Sequence, residues 1–205
     1  MTQILKNNVD VVALASALQK GAVAVFATDT VYGIGTGAFC EISVQKIYTI
    51  KERPATQPLQ ILVADVAQAR QVAQFSPAAL RVAQRYWPGG LTLIVPPTSV
   101  GQALLRGATG LGLRVPAYEP LRQVLAAMQM PLCSTSANVH GQPVLTDEAG
   151  VLRTFEGKVD YIWLGGTLSP VASSVLDVTT SPARLLREGS VLKQDLQQVW
   201  GESIL

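Results

Sequence analysis

Short apolar runs alternate with helix-spaced segments along the whole chain, and this alternation constrains the fold more than any other feature. Residues 22–27 form a short run rich in Val and Phe, which is typical of a strand buried on both faces. Residues 41–51 instead place Val44, Ile47 and Tyr48 at helical spacing. The alternation predicts an α/β protein in which helices pack on a twisted, mixed sheet.

The same periodicities predict the remaining elements. Further helices are expected at residues 8–19, 65–73, 76–87, 118–128 and 146–155. Further strands are expected at residues 59–64, 91–95, 111–115, 132–134, 159–164, 174–179 and 184–187, and the short final strands could pair antiparallel. Asn8 or Asp10 would cap the first helix, and Thr146 would cap the last. A crevice at the strand ends is expected to hold a ligand.

Composition excludes several classes of protein. The chain has 205 residues, of which 48% are hydrophobic, so it can bury a core without disulfides and is not disordered. Because no linker or repeat interrupts it, one domain is expected. The 16 basic and 14 acidic residues give a net charge of +2, so any RNA contact would need a local patch.

The rare residue types indicate the compartment and the kind of site. Cys40 and Cys133 are the two cysteines, which suits a reducing compartment and small core residues. The single His140 argues against a zinc site. With no signal peptide or spanning segment recognised in the sequence, we expect a cytoplasmic protein that has no contact with membranes.

Three polar segments follow predicted strands or helices, at residues 28–33, 51–54 and 134–138. Lys51 and Arg53 could direct an ammonium and a planar guanidinium at one oligophosphate, or could be a solvated helix end. The Ser, Thr and Asn side chains of 134–138 could bind phosphate or carboxylate oxygens, or form a capped turn. The glycines of 33–37 lack the dinucleotide-binding spacing and favour close backbone packing instead.

Seven segments, taken in order, resemble one family. They are T-D-T-V-Y-G at 28–33, K-E-R-P at 51–54 with P-L at 58–59, W-P-G-G-L-T at 87–92, L-R-V-P at 113–116, S-T-S-A-N at 134–138, S-S-V-L-D at 173–177, and L-R-E-G at 186–189. Residues 8–192 therefore resemble the YrdC-type threonylcarbamoyl-AMP synthase family.

The resemblance implies a particular domain organisation. Residues 1–192 would form a single YrdC-like domain with a concave, positively lined ligand-binding face. The chain would be the short form, which lacks the additional C-terminal domain of longer relatives. Residues 193–205 would be a tail, in which Leu196, Val199 and Trp200 form one side of a short docked helix.

The resemblance also implies an activity and its residues. A nucleotidyltransferase of this family combines ATP, L-threonine and bicarbonate or CO2 into threonylcarbamoyl-AMP and pyrophosphate, and a tRNA threonylcarbamoyl-transferase complex uses the product. ATP would be bound by Lys51, Arg53, Gln57, Ser136, Asn138 and Arg187. L-threonine would be bound by Thr30, Arg114, Ser134 and Ser173. Lys51 and Arg53 would be catalytic, and Mg2+ would be held through the ATP phosphates.

Three positions depart from the family pattern. Ala27 stands where a Pro is usual, Leu62 where many relatives have a polar residue, and Gly110 where a Thr is common. Two other functions stay open: an RNA-binding YrdC-like module, and a paralogue without synthase activity. The set Lys51, Arg53, Ser136 and Asn138 argues against the paralogue, because a chain without nucleotide chemistry has no physical need of it.

Overall fold

The computed structural model describes residues 1–6 and 9–205. Over those ranges the chain forms one mixed sheet of ten strands. The strands are β1 (Gln3–Leu5), β2 (Ala24–Phe26), β3 (Gly33–Gly37), β4 (Gln60–Leu62), β5 (Leu91–Val95), β6 (Leu111–Arg114), β7 (Leu132–Ser136), β8 (Tyr161–Trp163), β9 (Ser174–Asp177) and β10 (Arg184–Arg187). Their order across the sheet is β1-β8-β2-β3-β7-β4-β6-β5-β9-β10.

Parallel and antiparallel pairs alternate irregularly across this sheet. The pairs β1–β8, β2–β8, β4–β6 and β5–β9 are parallel. The pairs β2–β3, β3–β7, β4–β7, β5–β6 and β9–β10 are antiparallel. The predicted mixed sheet and the antiparallel pairing of the last two strands are therefore confirmed.

Helices cover both faces of the sheet. They are α1 (Val11–Gln19), α2 (Glu41–Lys51), α3 (Val66–Val72), α4 (Pro77–Tyr86), α5 (Glu119–Met128), α6 (Glu148–Phe155) and α7 (Lys193–Trp200), with a 3-10 turn at Gly101–Leu104. Asp10 caps α1 by accepting a hydrogen bond from the Ala13 amide at 3.0 Å, as predicted. Asn8, the other predicted cap, lies outside the described residues.

The predicted cap of α6 is wrong by one residue. Asp147, and not Thr146, occupies the N-cap position, and its Oδ1 accepts a hydrogen bond from the Gly150 amide at 2.7 Å. The negative charge of the carboxylate is also stabilised at the positive end of the helix dipole, and the Thr146 hydroxyl carries no such charge. The backbone carbonyl of Thr146 instead accepts a hydrogen bond from the Leu168 amide at 2.8 Å.

Two strands, β1 and β3, were not predicted from the sequence pattern, and β3 is the more informative. It consists of Gly33–Gly37, whose glycines disfavour strand formation in isolation. A Cβ atom at Gly35 would lie 2.7 Å from the Cys133 carbonyl oxygen and 3.1 Å from the Phe26 ring. The glycines therefore allow β3 to fit between its neighbours, and the predicted close backbone packing is confirmed. The edge strand β1 is the other strand that the pattern did not predict.

The two faces of the sheet differ in how they are covered. On one face, α1 and α5 pack over Phe26, Leu62 and Leu132 in a smaller core. On the other, the larger core contains Leu93 and Leu113 together with residues from the remaining helices. The region of the first face formed by β4, β6, β5 and β9 carries polar residues and glycine and remains open to solvent.

The last residues of the chain pack on the domain. Leu196 of α7 is fully buried in the larger core, and the Tyr86 hydroxyl of α4 donates a hydrogen bond to the Asp195 carbonyl at 2.9 Å. Ile204 forms a parallel bridge with Ala183, next to β10. The boundary expected at residue 192 stays a prediction, since this packing is continuous with the rest of the core.

The two cysteines differ in burial, and both are free thiols. Cys133 is buried in the core as predicted. The same prediction is wrong for Cys40, which is half-buried because it lies at the N-terminal cap of α2. Burial raises the pKa of the Cys133 thiol to about 12. Among the helices that the structure describes, none is long and apolar enough to cross a membrane.

Candidate active site

A cavity of about 360 Å3 lies on the open region of the sheet face. It is lined by Thr30, Val31, Arg53, Pro58, Leu59, Gln60, Thr92, Ile94, Gly110, Gly112, Arg114, Ser134, Thr135, Ser136, Val144, Ala172, Ser173, Val175 and Arg187. The cavity therefore lies on the sheet face, and the prediction of a crevice at the strand ends is wrong. In a mixed sheet the carboxyl ends of the strands do not gather at one edge, and residues two apart along a strand share a face instead.

Most of the predicted site residues line this cavity. Those that line it are Thr30, Arg53, Arg114, Ser134, Ser136, Ser173 and Arg187. The other three, Lys51, Gln57 and Asn138, do not line it. Lys51 and Asn138 are hydrogen-bonded to the lining residue Ser136, and the Gln57 carbonyl accepts a hydrogen bond from Arg53. The ligand roles of all ten stay predictions, and their placement in and around one cavity is what the structure adds.

The Arg114 side chain is held on three sides within the wall of the cavity. Its Nε donates to the Gly89 carbonyl at 2.9 Å, its Nη1 to Thr30 Oγ1 at 2.9 Å, and its Nη2 to Asp29 Oδ1 at 2.7 Å. Burial lowers the pKa of Arg114, and the Asp29 carboxylate opposes this shift. A guanidinium has five N–H donors, so two remain for a ligand in a fixed orientation.

Asp29 is a residue that the sequence reasoning missed as a contributor to the site. Its carboxylate forms a partly buried ion pair with Arg114, in which the Asp29 side chain is 18% exposed and the Arg114 side chain 5% exposed. The signal was its position between Thr28 and Thr30 directly after the buried strand β2. A charged residue in that setting needs a partner of opposite charge.

A series of hydrogen bonds runs across the cavity floor from Arg187 to Gln60. Arg187 donates from Nε to the Ser173 carbonyl at 2.8 Å and from Nη2 to Ser173 Oγ at 3.2 Å. Ser173 Oγ lies 3.0 Å from Thr92 Oγ1, which also accepts a hydrogen bond from Gln60 Nε2. Gln60 and Thr92 were not predicted as site residues, although polar side chains within the apolar strands β4 and β5 were the available signal.

Lys51 lies beneath the 136–142 segment and is only 1% exposed. Its Nζ donates to the carbonyls of Ser136 and Asn138, both at 2.5 Å, and to Asn138 Oδ1 at 3.2 Å. Burial, and then the charge of Arg53, lower the pKa of Lys51 to about 8. In this structure the ammonium therefore holds the loop that carries Ser136 in place.

Asn138 completes this arrangement from the loop side. Its Oδ1 accepts a hydrogen bond from Ser136 Oγ at 2.6 Å, and its Nδ2 donates to the Gln142 carbonyl at 2.7 Å. The hydrogen bonds to Lys51 and Ser136 saturate the amide oxygen. Asn138 therefore fixes the orientation of the Ser136 hydroxyl, which lines the cavity.

Arg53 reaches the cavity because the chain turns sharply after α2. Glu52 caps the helix in a left-handed conformation, with φ of 53°. Arg53 Nη2 then donates to the Pro58 carbonyl at 3.1 Å, and its Nε to the Gln57 carbonyl at 3.4 Å. Gln57 thus contributes a backbone oxygen, which also accepts a hydrogen bond from the Tyr48 hydroxyl at 3.0 Å.

The charge balance of the cavity favours anions. Arg53, Arg114 and Arg187 line it, and no carboxylate is among the described lining residues. Desolvation, and then the charge of Arg114, lower the pKa of Arg187. The repulsion between Arg187 and Arg114 would be relieved by a negatively charged ligand.

Two of the departures from the family pattern have a structural explanation. A Cβ at Gly110 would lie 2.8 Å from Ile94 Cγ2 and 2.9 Å from Thr179 Cγ2, so a larger residue does not fit without displacing them. Leu62 packs in the smaller core and is 2% exposed. A polar side chain there would lose its water without gaining an evident partner. Nothing in the structure explains the consequence of Ala27.

The chain forms an α/β domain, and three arginines, Arg53, Arg114 and Arg187, line one cavity on its sheet face. The chain belongs to the Sua5/YciO/YrdC family, whose model, described as telomere recombination, matches residues 16–189. The predicted resemblance is therefore confirmed. A threonylcarbamoyl-AMP synthase of Pyrococcus abyssi is 36% identical over 191 residues, which cover 92% of this chain and 56% of that protein. A threonylcarbamoyl-AMP synthase of Bacillus subtilis is 31% identical over 203 residues, covering 97% and 59%.

Solved structures agree on the fold. The structure of P. abyssi Sua5 complexed with L-threonine matches with a TM-score of 0.90 at 32% identity, covering 100% of this chain and 62% of that chain. E. coli YciO matches with a TM-score of 0.87 at 24% identity, covering 96% and 100%, which supports the fold alone. The chain spans less than two thirds of the length of the P. abyssi and B. subtilis relatives.

Proposed function

We propose that this protein is a threonylcarbamoyl-AMP synthase, a nucleotidyltransferase that forms threonylcarbamoyl-AMP and pyrophosphate from ATP, L-threonine and bicarbonate or CO2. One observation carries the proposal: a fixed guanidinium fork at Arg114 and two further guanidinium groups, at Arg53 and Arg187, line the same cavity. A site for an amino acid carboxylate thus adjoins a site for an oligophosphate. The synthase names of the similar relatives support this reading.

The amino acid would bind at the Arg114 side. The two free N–H donors of Arg114 suit the planar carboxylate of L-threonine, which a guanidinium can bind in bidentate fashion. The hydroxyls of Thr30, Ser134 and Ser173 line the same cavity and could bond the amine or the side-chain hydroxyl of threonine. The P. abyssi Sua5 structure was solved with L-threonine, which supports this choice of amino acid.

The nucleotide would be bound by Arg53, Ser136 and Arg187, of which Arg187 lies next to the proposed threonine residue Ser173. Arg53 and Arg187 would offset phosphate charge directly, and Lys51 and Asn138 would act by holding the loop that presents Ser136. Mg2+ would enter with ATP. The described residues contain no group of three His, Cys, Asp or Glu side chains that could hold a metal, so phosphate oxygens would be the main ligands. When bound, Mg2+ would offset the charge of the phosphates.

The proposed reaction needs two bond-forming steps and no protein nucleophile. The threonine amine attacks CO2, a C–N bond forms, and the amine loses a proton to give the N-carboxylate. A carboxylate oxygen then attacks the α-phosphorus as the bond to pyrophosphate breaks, and pyrophosphate leaves. Arg53 would stabilise the charge on the departing group, and holding both reactants in one cavity would supply much of the rate.

The product would serve as the donor for a tRNA threonylcarbamoyl-transferase complex in the cytoplasm, and this partner and any local RNA contact belong to the proposal. Pyrophosphate release tests the central reaction. We expect release with ATP, Mg2+, L-threonine and bicarbonate together, and only background when threonine or bicarbonate is omitted. Equal release without threonine would contradict the proposal. RNA binding that depends on salt, without any ATP turnover, would favour the RNA-binding module instead.

A further inference from the structure

Gln60 is a polar residue at the start of an otherwise apolar strand. Leu59 and Ile61 on either side of it are buried, and Leu62 packs in the smaller core. Gln60 itself is half-buried and lines the cavity. A side-chain amide that gives up water needs hydrogen-bond partners, so its position in this strand calls for a role that the proposed reaction has not yet given it.

One hydrogen bond fixes the Gln60 amide and leaves its oxygen available. Nε2 donates to Thr92 Oγ1 on β5, across the intervening strand β6. Oε1 accepts no hydrogen bond from the residues that the structure describes. It is not fully buried either, since the fully buried side-chain atoms without a partner in that part of the chain are Thr36 Oγ1 and Trp200 Nε1. This oxygen is therefore open to the cavity, an orientation that nearby guanidinium groups favour for an amide dipole.

The cavity is rich in hydrogen-bond donors and poor in acceptors. Guanidinium groups only donate, and no carboxylate is among the described lining residues. Thr30 Oγ1 already accepts a hydrogen bond from Arg114, and Ser173 Oγ accepts one from Arg187. Gln60 Oε1 keeps both of its lone pairs for a ligand. An amino acid brings N–H donors that need such an acceptor once they leave water.

Gln60 lies next to residues proposed for the amino acid. In the β4–β7 register it pairs directly with Ser134. On its other side, β6 places Arg114 opposite Leu62, so the Cα atoms of Gln60 and Arg114 are diagonal neighbours about 8 Å apart. A recess of about 30 Å3 adjoins the cavity, and its lining includes Gln60, Thr30, Arg114 and Ser134. Three of the four proposed threonine residues therefore share one recess with Gln60.

We propose that Gln60 Oε1 accepts a hydrogen bond from the amino group of L-threonine and holds its nitrogen in place for carboxylation. This inference rests on the proposed function and deepens it by adding a positioning residue for the amino acid. Arg114 binds the carboxylate through donors, and Gln60 binds the amino group through an acceptor. The two contacts together fix the orientation of the amino acid around its α-carbon.

The hydrogen bond is compatible with the chemistry of the nitrogen. The neutral amine has two N–H groups and one lone pair. Attack on CO2 uses the lone pair to form the C–N bond, and one proton is then lost. One N–H group remains in the N-carboxylate, so the hydrogen bond to Gln60 is kept while the carboxylate oxygen attacks the α-phosphorus.

Two variants and two ligands test which part of the amino acid Gln60 contacts. Gln60→Leu removes the acceptor, and Gln60→Glu keeps an acceptor and adds a negative charge. Gln84→Leu, at an exposed position of α4 that does not line the cavity, is the matched control. Titration calorimetry would measure the binding of L-threonine and of (R)-3-hydroxybutyrate, which is threonine without its amino group. Thermal unfolding would check that each variant is folded.

We expect Gln60→Leu to weaken the binding of L-threonine about 10-fold and that of (R)-3-hydroxybutyrate less than about twofold, because the lost hydrogen bond involves the amino group alone. Gln60→Glu should bind L-threonine at least as tightly as wild type and (R)-3-hydroxybutyrate more weakly, since a carboxylate attracts an ammonium group and repels another carboxylate. Gln84→Leu should match wild type with both ligands. In pyrophosphate release, Gln60→Leu should raise the KM for L-threonine about 10-fold and the KM for ATP less than about threefold.

Two outcomes would overturn the inference while the proposed function stands. In the first, Gln60→Leu weakens the binding of both ligands equally, which would mean that Gln60 acts on a part that they share or only through Thr92. In the second, Gln60→Leu binds L-threonine as tightly as wild type. A wild-type protein that binds L-threonine but releases no pyrophosphate would overturn the proposed function alone, because the binding data would still decide whether Gln60 contacts the amino group. A wild-type protein that binds no L-threonine would overturn both.

Discussion

At the scale of single residues, the site depends on side chains whose orientation is already fixed. Arg114 has three of its five donors engaged by Gly89, Thr30 and Asp29, so its remaining donors need no reorganisation to meet a carboxylate. Lys51 and Asn138 fix Ser136 in the same way. Preorganisation of this kind lowers the entropic cost of binding.

We predict that Arg114→Lys raises the KM for L-threonine by about 10-fold to 100-fold, because an ammonium cannot reproduce a bidentate fork. The KM for ATP should change less than about threefold, since the phosphates would be bound by other residues and the positive charge at position 114 is kept. Pyrophosphate release at varied concentrations of each substrate measures both constants. Arg70→Lys, on an exposed face of α3, is the control. Equal increases in both KM values would contradict the assignment of Arg114 to threonine.

The depressed pKa of Lys51 predicts a pH dependence of stability. Burial lowers this pKa to about 8, whereas an unfolded lysine titrates near its ordinary value of about 10.4. Between these values the unfolded chain binds more protons, so the free energy of unfolding contributed by Lys51 rises as pH increases through this window. The rise should reach at most roughly 3 kcal/mol.

Urea unfolding of wild type and Lys51→Met measures this contribution from about pH 7 to about pH 10.5. Other titrating groups are common to both proteins, so the difference between their unfolding free energies isolates Lys51. The wild type should gain stability relative to Lys51→Met as pH rises. A difference that does not change with pH would show that the ammonium titrates normally.

At the scale of secondary structure, local signals decide where helices begin and tertiary contacts decide which strands form. The bounds of α2 follow from its apolar spacing, and Asp10 was one of the two caps predicted for α1. The glycine-rich β3 was not, because its stability comes from pairing with β2 and β7 and not from its own residues.

The same limit explains which site residues were missed. Gln60, Thr92 and Asp29 belong to the site through strand register or through an ion pair with a distant residue, and neither is visible in local sequence. The residues that came only from the family resemblance, such as Arg114 and Arg187, do line the cavity. Without that resemblance, the pair Lys51 and Arg53 would have stayed ambiguous.

The start of α6 gives a test at this scale. Asp147→Ala should lower the free energy of unfolding by about 1 kcal/mol, because it removes the acceptor for the Gly150 amide. Thr146→Ala, at the cap that the sequence predicted, should change it by less than about 0.5 kcal/mol. Chemical denaturation of both variants gives these values. A larger loss in Thr146→Ala than in Asp147→Ala would contradict the observed cap.

At the scale of the whole molecule, the site exists because one face of the sheet is only partly covered. Helices α1 and α5 cover part of that face, and the strands β4, β6, β5 and β9 provide the uncovered floor. Arg53, Arg114 and Arg187 line the cavity over this floor. Under the proposed function, the architecture would bring an amino acid and a nucleotide into one cavity without a protein nucleophile.

Identification of the nucleotide product is the most direct test of the proposed synthase reaction. The wild-type protein would be mixed with ATP, Mg2+, L-threonine and 13C-labelled bicarbonate, quenched rapidly, and analysed by mass spectrometry. We predict one adenylate whose mass contains both threonine and a single labelled carbon, formed together with pyrophosphate. A threonyl adenylate without the labelled carbon, or only ADP or AMP, would contradict it.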